Sequence, residues 1–168
     1  MDRHYQIDAL YRKILKELSE EPESWKAFLD CAGYNFKLRF DEQVLLYAQR
    51  PDATAVLTIE QWNKGFHRWV NRGAKDIAVF DEAADTVQKI RYYFDISDTH
   101  EGKDARKVPL WSYQDAYEAE VIESLEAAFD MPEKNESLSK TVEAAMQAAA
   151  EEYRMDYLPA LKELQGQS

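Results

Sequence analysis

The sequence predicts an α+β protein, a small antiparallel β-sheet embedded among N-terminal and C-terminal helices. Three observations lead there. Apolar residues recur at helical spacing through residues 1–50, an alternating run at residues 87–96 follows a short apolar stretch at 77–80, and helical spacing resumes from Ser112.

The N-terminal part reads as three helices. Ile7, Leu10, Ile14 and Leu18 fall at steps of three and four, with Lys13, Lys16 and Glu17 between them. Pro22 stands where a helix can begin, and Trp25, Phe28, Leu29 and Ala32 form the next stripe, which Gly33 ends. Asp41 is the expected N-cap of a third helix over residues 42–49, which must stop before Pro51. Thr58 and Gln61 have capping-box spacing, so residues 59–64 are expected as a short helix closed by Gly65.

Strands follow, as a hairpin over about 76–96 with a polar turn at residues 81–86. In its second strand Ile90, Tyr92, Phe94 and Ile96 share one face, expected to be buried, while Lys89, Arg91 and Tyr93 share the other, expected to be exposed. Residues 97–109 read as an exposed loop. Beyond it, Ser112 and Asp115 resemble a capping box ahead of the stripe Tyr117, Val121, Ile122, Leu125 and Phe129. A break at residues 132–135 precedes an Ala-rich helix over 139–153 and a short last one around Leu158, Leu161 and Leu164.

At 168 residues the chain is long enough for one domain with a core of its own and short for two. It is read as a single domain, 1–168, with a core over 1–111 and an acidic helical extension over 112–168. No apolar run approaches the roughly 20 residues of a membrane span, and the first residues lack the apolar stretch of a signal peptide. The single cysteine, Cys31, cannot form an internal disulfide. These features predict a cytoplasmic protein with no membrane partner.

Catalytic patterns are missing from the sequence. His4, His67 and His100 are far apart, and His100-Glu101 lacks the second histidine of a zincin motif. The five glycines form no phosphate loop, and Cys31 lies on an apolar helix side where a buried structural thiol is expected. The reading is a non-enzyme with no catalytic residues, no metal site and no cofactor.

The net charge of −11, from 21 basic and 32 acidic side chains, argues against a simple duplex-DNA binder, whose affinity rests on phosphate neutralisation. Residues 61–75 run against that balance. They hold Lys64, Arg68, Arg72 and Lys75 and no acid, interleaved with Trp62, Phe66 and Trp69. Single strands are bound by this combination, in which cations follow phosphates and aromatic faces stack on unpaired bases. Lys64, Arg68, Trp69, Arg72 and Lys75 are therefore candidate nucleic-acid contacts, with Lys89, Arg91 and Tyr93 as a second piece, whereas Trp62, just behind a helix cap, suits a core anchor.

The run Phe40-Asp41-Glu42-Gln43-Val44-Leu45-Leu46-Tyr47-Ala48-Gln49-Arg50-Pro51-Asp52-Ala53-Thr54-Ala55, then Trp62-Asn63-Lys64, Arg68-Trp69-Val70-Asn71-Arg72-Gly73-Ala74-Lys75, Ile77-Ala78-Val79 and Phe94-Asp95-Ile96-Ser97-Asp98-Thr99, resembles the ArdC-type antirestriction N-terminal domain. The version it resembles opens large helicase-like proteins of Firmicutes conjugative elements. The resemblance spans about residues 25–111. It implies single-stranded DNA binding and protection of incoming mobile DNA from host defence. Asp76 departs from the pattern, standing where such domains usually carry glycine. The zinc metalloprotease half of full-length ArdC-like proteins has no counterpart here.

Residues 108–168 carry 4 basic and 13 acidic side chains. Glu118, Glu123 and Glu126 are expected on an exposed ridge of the first tail helix, where they would face a cationic nuclease channel. Two functions from different classes follow. One is a mobile-element anti-defence protein that inhibits a host defence nuclease, a restriction enzyme or an RNA-guided nuclease complex, by binding the nuclease and/or its nucleic acid. The other is a plain module that coats single-stranded DNA, weakly, during transfer. A small metal-dependent enzyme is a third, weaker reading.

Overall fold

The structure is a computed structural model that describes residues 3–81, 89–131, 137–152 and 154. The fold is α+β, and the chain divides into two compact units, Met1–Ser112 and Tyr113–Ser168.

The first unit begins with α1 (Arg3–Glu20), α2 (Pro22–Tyr34) and α3 (Phe40–Gln49). Ile7, Ile14 and Leu18 of α1 are buried at the spacing the sequence predicts. Ile14 and Leu18 pack with Phe28 and Ala32 of α2 and Val44 of α3 in one cluster, and Ile7 packs with Cys31, Leu45 and Leu46 in an adjoining one that takes in the sheet. Burial pushes the Cys31 thiol up to about 11, with the carboxylates of Asp52 and Asp95 adding to the effect. The start of α3 corrects the expected cap. Arg39, not Asp41, is the N-cap, and its backbone N–H donates to the Glu42 carboxylate (3.1 Å), while Asp41 lies inside the helix and pairs with the Arg39 guanidinium.

β1 (Val56–Leu57) leads into α4 (Ile59–Gln61), a single turn whose capping box forms as expected: Gln61 N–H donates to Thr58 Oγ1 (3.2 Å) and Thr58 N–H to Gln61 Oε1 (3.0 Å). The chain then winds through a π-helical turn, Trp62–Phe66, in place of the rest of the expected helix.

β3 (Ile77–Asp81) and β4 (Lys89–Asp95) pair antiparallel, Ile77 opposite Tyr93 and Asp81 opposite Lys89, and β1 joins the other side of β4, in the order β1-β4-β3. The turn expected at 81–86 lies, apart from Asp81, outside the described residues. β3 is an edge strand, a liability because its backbone groups invite pairing. The Gln49 amide covers it, donating to the Ala78 carbonyl (2.9 Å) and accepting from Ala78 N–H (3.0 Å). On the other side of the sheet Asp95 accepts from Thr54 N–H (2.8 Å), Ala55 N–H (3.1 Å) and Ser97 N–H (2.9 Å), which ties the loop before β1 to the end of β4. Beyond β4 the expected loop contains a further strand, β5 (Thr99–Glu101), which pairs with β2 (Arg68–Val70) as a separate two-stranded ribbon.

In the second unit α5 (Glu118–Ala128) packs on α6 (Leu138–Glu152). The Ala-rich helix is where the sequence places it; the break at 132–135 and the final short helix lie outside the described residues. No helix among the described residues is long and apolar enough to cross a membrane.

Candidate nucleic-acid interface

The β2–β5 ribbon is built by a reversal of chain direction. His67, at the end of the π-helical turn, has a left-handed backbone (φ 54°) that carries the chain into β2. Hydrogen bonds close the ribbon at both ends, from Gly102 N–H to the His67 carbonyl (2.9 Å) and from Asn71 N–H to the Asp98 carbonyl (2.8 Å). Arg106 N–H, donating to the Phe66 carbonyl (2.9 Å), ties the following segment to the same turn.

Alternation along β2 then sorts its side chains. Trp69 stands opposite His100 on one face, while Arg68 stands opposite Glu101 on the other. The Trp69 indole is 46% exposed, with its nitrogen over Gly102. A Cβ at position 102 would lie 2.7 Å from both that nitrogen and the His67 carbonyl, so glycine is required there. His100 Nδ1 lies 2.7 Å from Asn71 Oδ1, which steadies the imidazole beside the indole. Asn63, His67, Trp69, Gly102, Lys103 and Asp104 line a recess of about 260 Å³.

The candidate cations separate into two kinds. Arg72 and Lys75 are exposed in the turn after β2, and among the described residues neither has an ion-pair partner. Asp76, the acid beside them, is paired with Arg3 of α1 (3.1 Å), which offsets its charge next to those cations.

Arg68 belongs to the other kind. Its side chain is only 12% exposed, and its guanidinium donates to Thr99 Oγ1 (2.8 Å) and Glu101 (3.0 Å) across the ribbon. It holds β2 to β5 and is not a free phosphate contact. Lys64 pairs with Glu60 (2.6 Å) in full solvent, an arrangement that holds the Glu60 carboxyl below and the Lys64 ammonium above their ordinary ranges. Such an exposed pair contributes little to stability.

The second strand of the hairpin follows the expectation at Phe94, which is buried, and at Ile90, which packs against the core, but departs from it at Tyr92 and Tyr93. Tyr93 is buried and its phenol donates to Glu42 of α3 (3.0 Å), while Tyr92 is exposed. Burial, with Glu42 adding, raises the Tyr93 phenol. Arg91 pairs with Asp81 and donates to the Tyr93 hydroxyl (3.3 Å). Lys89, Arg91 and Tyr93 thus form no exposed basic face continuous with Trp69; of the three, Lys89 alone is exposed. A tyrosine can be buried once its hydroxyl has a partner, so alternation alone did not settle which side faces inward.

The tail helix is rotated relative to the expectation. Glu118 accepts from the Tyr113 hydroxyl (3.2 Å) and from Leu138 N–H (3.4 Å), and with Ile122, Leu125 and Glu126 it lies on the half-buried side of α5. Glu123 is exposed, as are Tyr117 and Val121, which the sequence placed in the apolar stripe. The expected ridge of Glu118, Glu123 and Glu126 therefore does not form; the exposed carboxylates of this helix are Glu120 and Glu123.

His100 and Lys103 fall in residues 97–109, which read as loop, and Asn71, an uncharged residue of the 61–75 stretch, carries no signal of its own. The only signal was Thr99-His100-Glu101, a polar triplet too short to show alternation. Among the described residues no group of three His, Cys, Asp or Glu side chains is placed to hold a metal ion. Comparison of the chain with family models, with curated proteins and with solved structures found no match in any of the three.

Proposed function

We propose that this chain is a non-enzymatic anti-defence protein of a mobile element, which interferes with a host nucleic-acid-cutting system by engaging its nucleic acid, and that its working surface is the β2–β5 ribbon. The observation that carries the reading is Trp69, an exposed indole fixed beside His100 on a two-stranded ribbon, with the exposed cations Arg72 and Lys75 in the adjoining turn. An aromatic face with nearby cations suits unpaired bases and their phosphates, whereas duplex DNA offers no exposed base face to stack on. The resemblance of residues 25–111 to ArdC-type domains supplies the mobile-element context. A plain single-strand-coating module uses the same surface and differs only in having no nuclease to inhibit.

A second surface favours direct contact with the nuclease. α5 exposes Glu120 and Glu123 beside Tyr117 and Val121, an acidic and aromatic face of the kind that meets a cationic channel. Electrophoretic shifts at low salt test the first surface, with single strands expected to bind better than duplex of the same sequence. Equal affinity for both would contradict it. Pull-down against purified defence nucleases, with and without guide RNA, tests the second: Glu120→Gln with Glu123→Gln should release the nuclease, and undiminished capture would remove α5 from the interface.

A further inference from the structure

A groove of about 490 Å³ in the first unit is lined in part by Gln61 and Phe66 of the turn that also carries Asn63 and His67 of the Trp69 recess. Tyr34, Phe36, Leu57, Phe66 and Trp111 wall it. Phe36 is 57% exposed and Trp111 45% exposed, and the Tyr34 and Trp111 rings meet edge to face at 6.1 Å. Exposed aromatic walls alone would suit an apolar peptide as well as a base.

Charge decides between them. None of the sixteen residues lining the groove is acidic, in a chain where 32 of 168 residues are. Lys37 lines it with its ammonium 5.8 Å from the centre of the Phe36 ring, and Arg106 and Lys107 lead directly into the Val108–Trp111 lip. Arg106 is anchored on the turn through the Phe66 and Gly65 carbonyls. Leu57, Gln61 and Phe66 line both the groove and a shallow hollow over the turn, and Asn63 and His67, neighbouring positions of the same turn, line the Trp69 recess.

We propose that this groove is a second base-binding site for the same single strand. Bases would stack on Phe36 and Trp111, phosphates would follow Lys37, Arg106 and Lys107, and the strand would cross the π-helical turn to reach Trp69. The inference rests on the proposed function of the ribbon and extends its track.

The test is equilibrium binding of fluorescein-labelled oligothymidylates of about 5 and about 15 nucleotides, bracketing much of the range of single-strand site sizes. Wild type should bind the longer strand more tightly than its greater number of registers alone provides. Phe36→Ala with Trp111→Ala should weaken the long strand by at least about thirtyfold, two lost stacks at roughly 1–3 kcal/mol each, and leave the short strand bound at Trp69. Trp111→Phe should keep most of the affinity. If the double variant loses its thermal midpoint, Lys37→Gln with Lys107→Gln keeps the walls and should lower the salt slope for the long strand by about 1.4. Long-strand affinity and salt slope unchanged in folded variants would overturn the groove site while leaving the ribbon intact. Loss through Phe36 and Trp111 with Trp69→Ala neutral would instead overturn the ribbon and keep the groove. Absence of binding to either strand by wild type would sink both.

Discussion

Trp62 and Trp69 arise from one short basic-aromatic segment and end in opposite environments. Trp62 is completely buried, and its indole N–H donates to the Phe94 carbonyl (2.8 Å) in the middle of the three-stranded sheet. Trp69 is nearly half exposed on the two-stranded ribbon, held at its nitrogen edge by Gly102. The Thr58–Gln61 cap just before Trp62 marks it as an anchor, and nothing next to Trp69 marks its exposure. The left-handed turn at His67 separates the two, by sending the chain out of the core between them. Charged groups show the same division. Asp95 is buried and serves the backbone of its neighbours, while Arg72 and Lys75 are exposed, with no ion-pair partner among the described residues. A composition pattern that looks uniform along the chain is thus split by the fold into an anchor and a working face.

The comparison is broken most forcefully at the anchor. Trp62→Ala removes a fully buried side chain and leaves the Phe94 carbonyl one donor short, so chemical denaturation should show a loss of about 3–5 kcal/mol. A cost below about 1 kcal/mol would mean that Trp62 is no anchor. Asp95→Ala ranks next. It orphans the N–H groups of Thr54, Ala55 and Ser97, and should cost at least about 2 kcal/mol, with the loss recovered in part by asparagine. On the working face the order reverses. Arg72→Gln with Lys75→Gln should change stability by less than about 0.5 kcal/mol, yet lower the salt dependence of single-strand affinity by about 1.4 in log–log slope, two phosphate contacts' worth. Arg68→Gln, by contrast, should act through stability, because its guanidinium bonds the ribbon together.

Much of this division was legible before the structure. Three amphipathic helices, the hairpin, the Thr58–Gln61 capping box and a core role for Trp62 follow from periodicity and local hydrogen bonding, which the sequence displays directly. What escaped reading depends on partners distant along the chain. β1, β2 and β5 are two or three residues long and show no period. Arg68 looks like a free cation until Thr99 and Glu101 are brought opposite it by the ribbon register. Tyr93 faces inward because Glu42 of α3 accepts a hydrogen bond from its phenol, and Glu118 is drawn to the α6 side because Leu138 N–H needs an acceptor. Each of these groups is polar enough to read as surface and becomes internal only when a non-local partner satisfies it.

The measurement that bears most directly on the central claim is the affinity of Trp69→Ala for a labelled single strand of about 5 nucleotides at low salt, read together with its thermal midpoint. An exposed side chain contributes little to folding, so the midpoint should stay within a few degrees of wild type, and affinity should fall by about fivefold to a hundredfold. Wild-type affinity in a folded Trp69→Ala protein would contradict the account and leave the exposed indole without a role in binding.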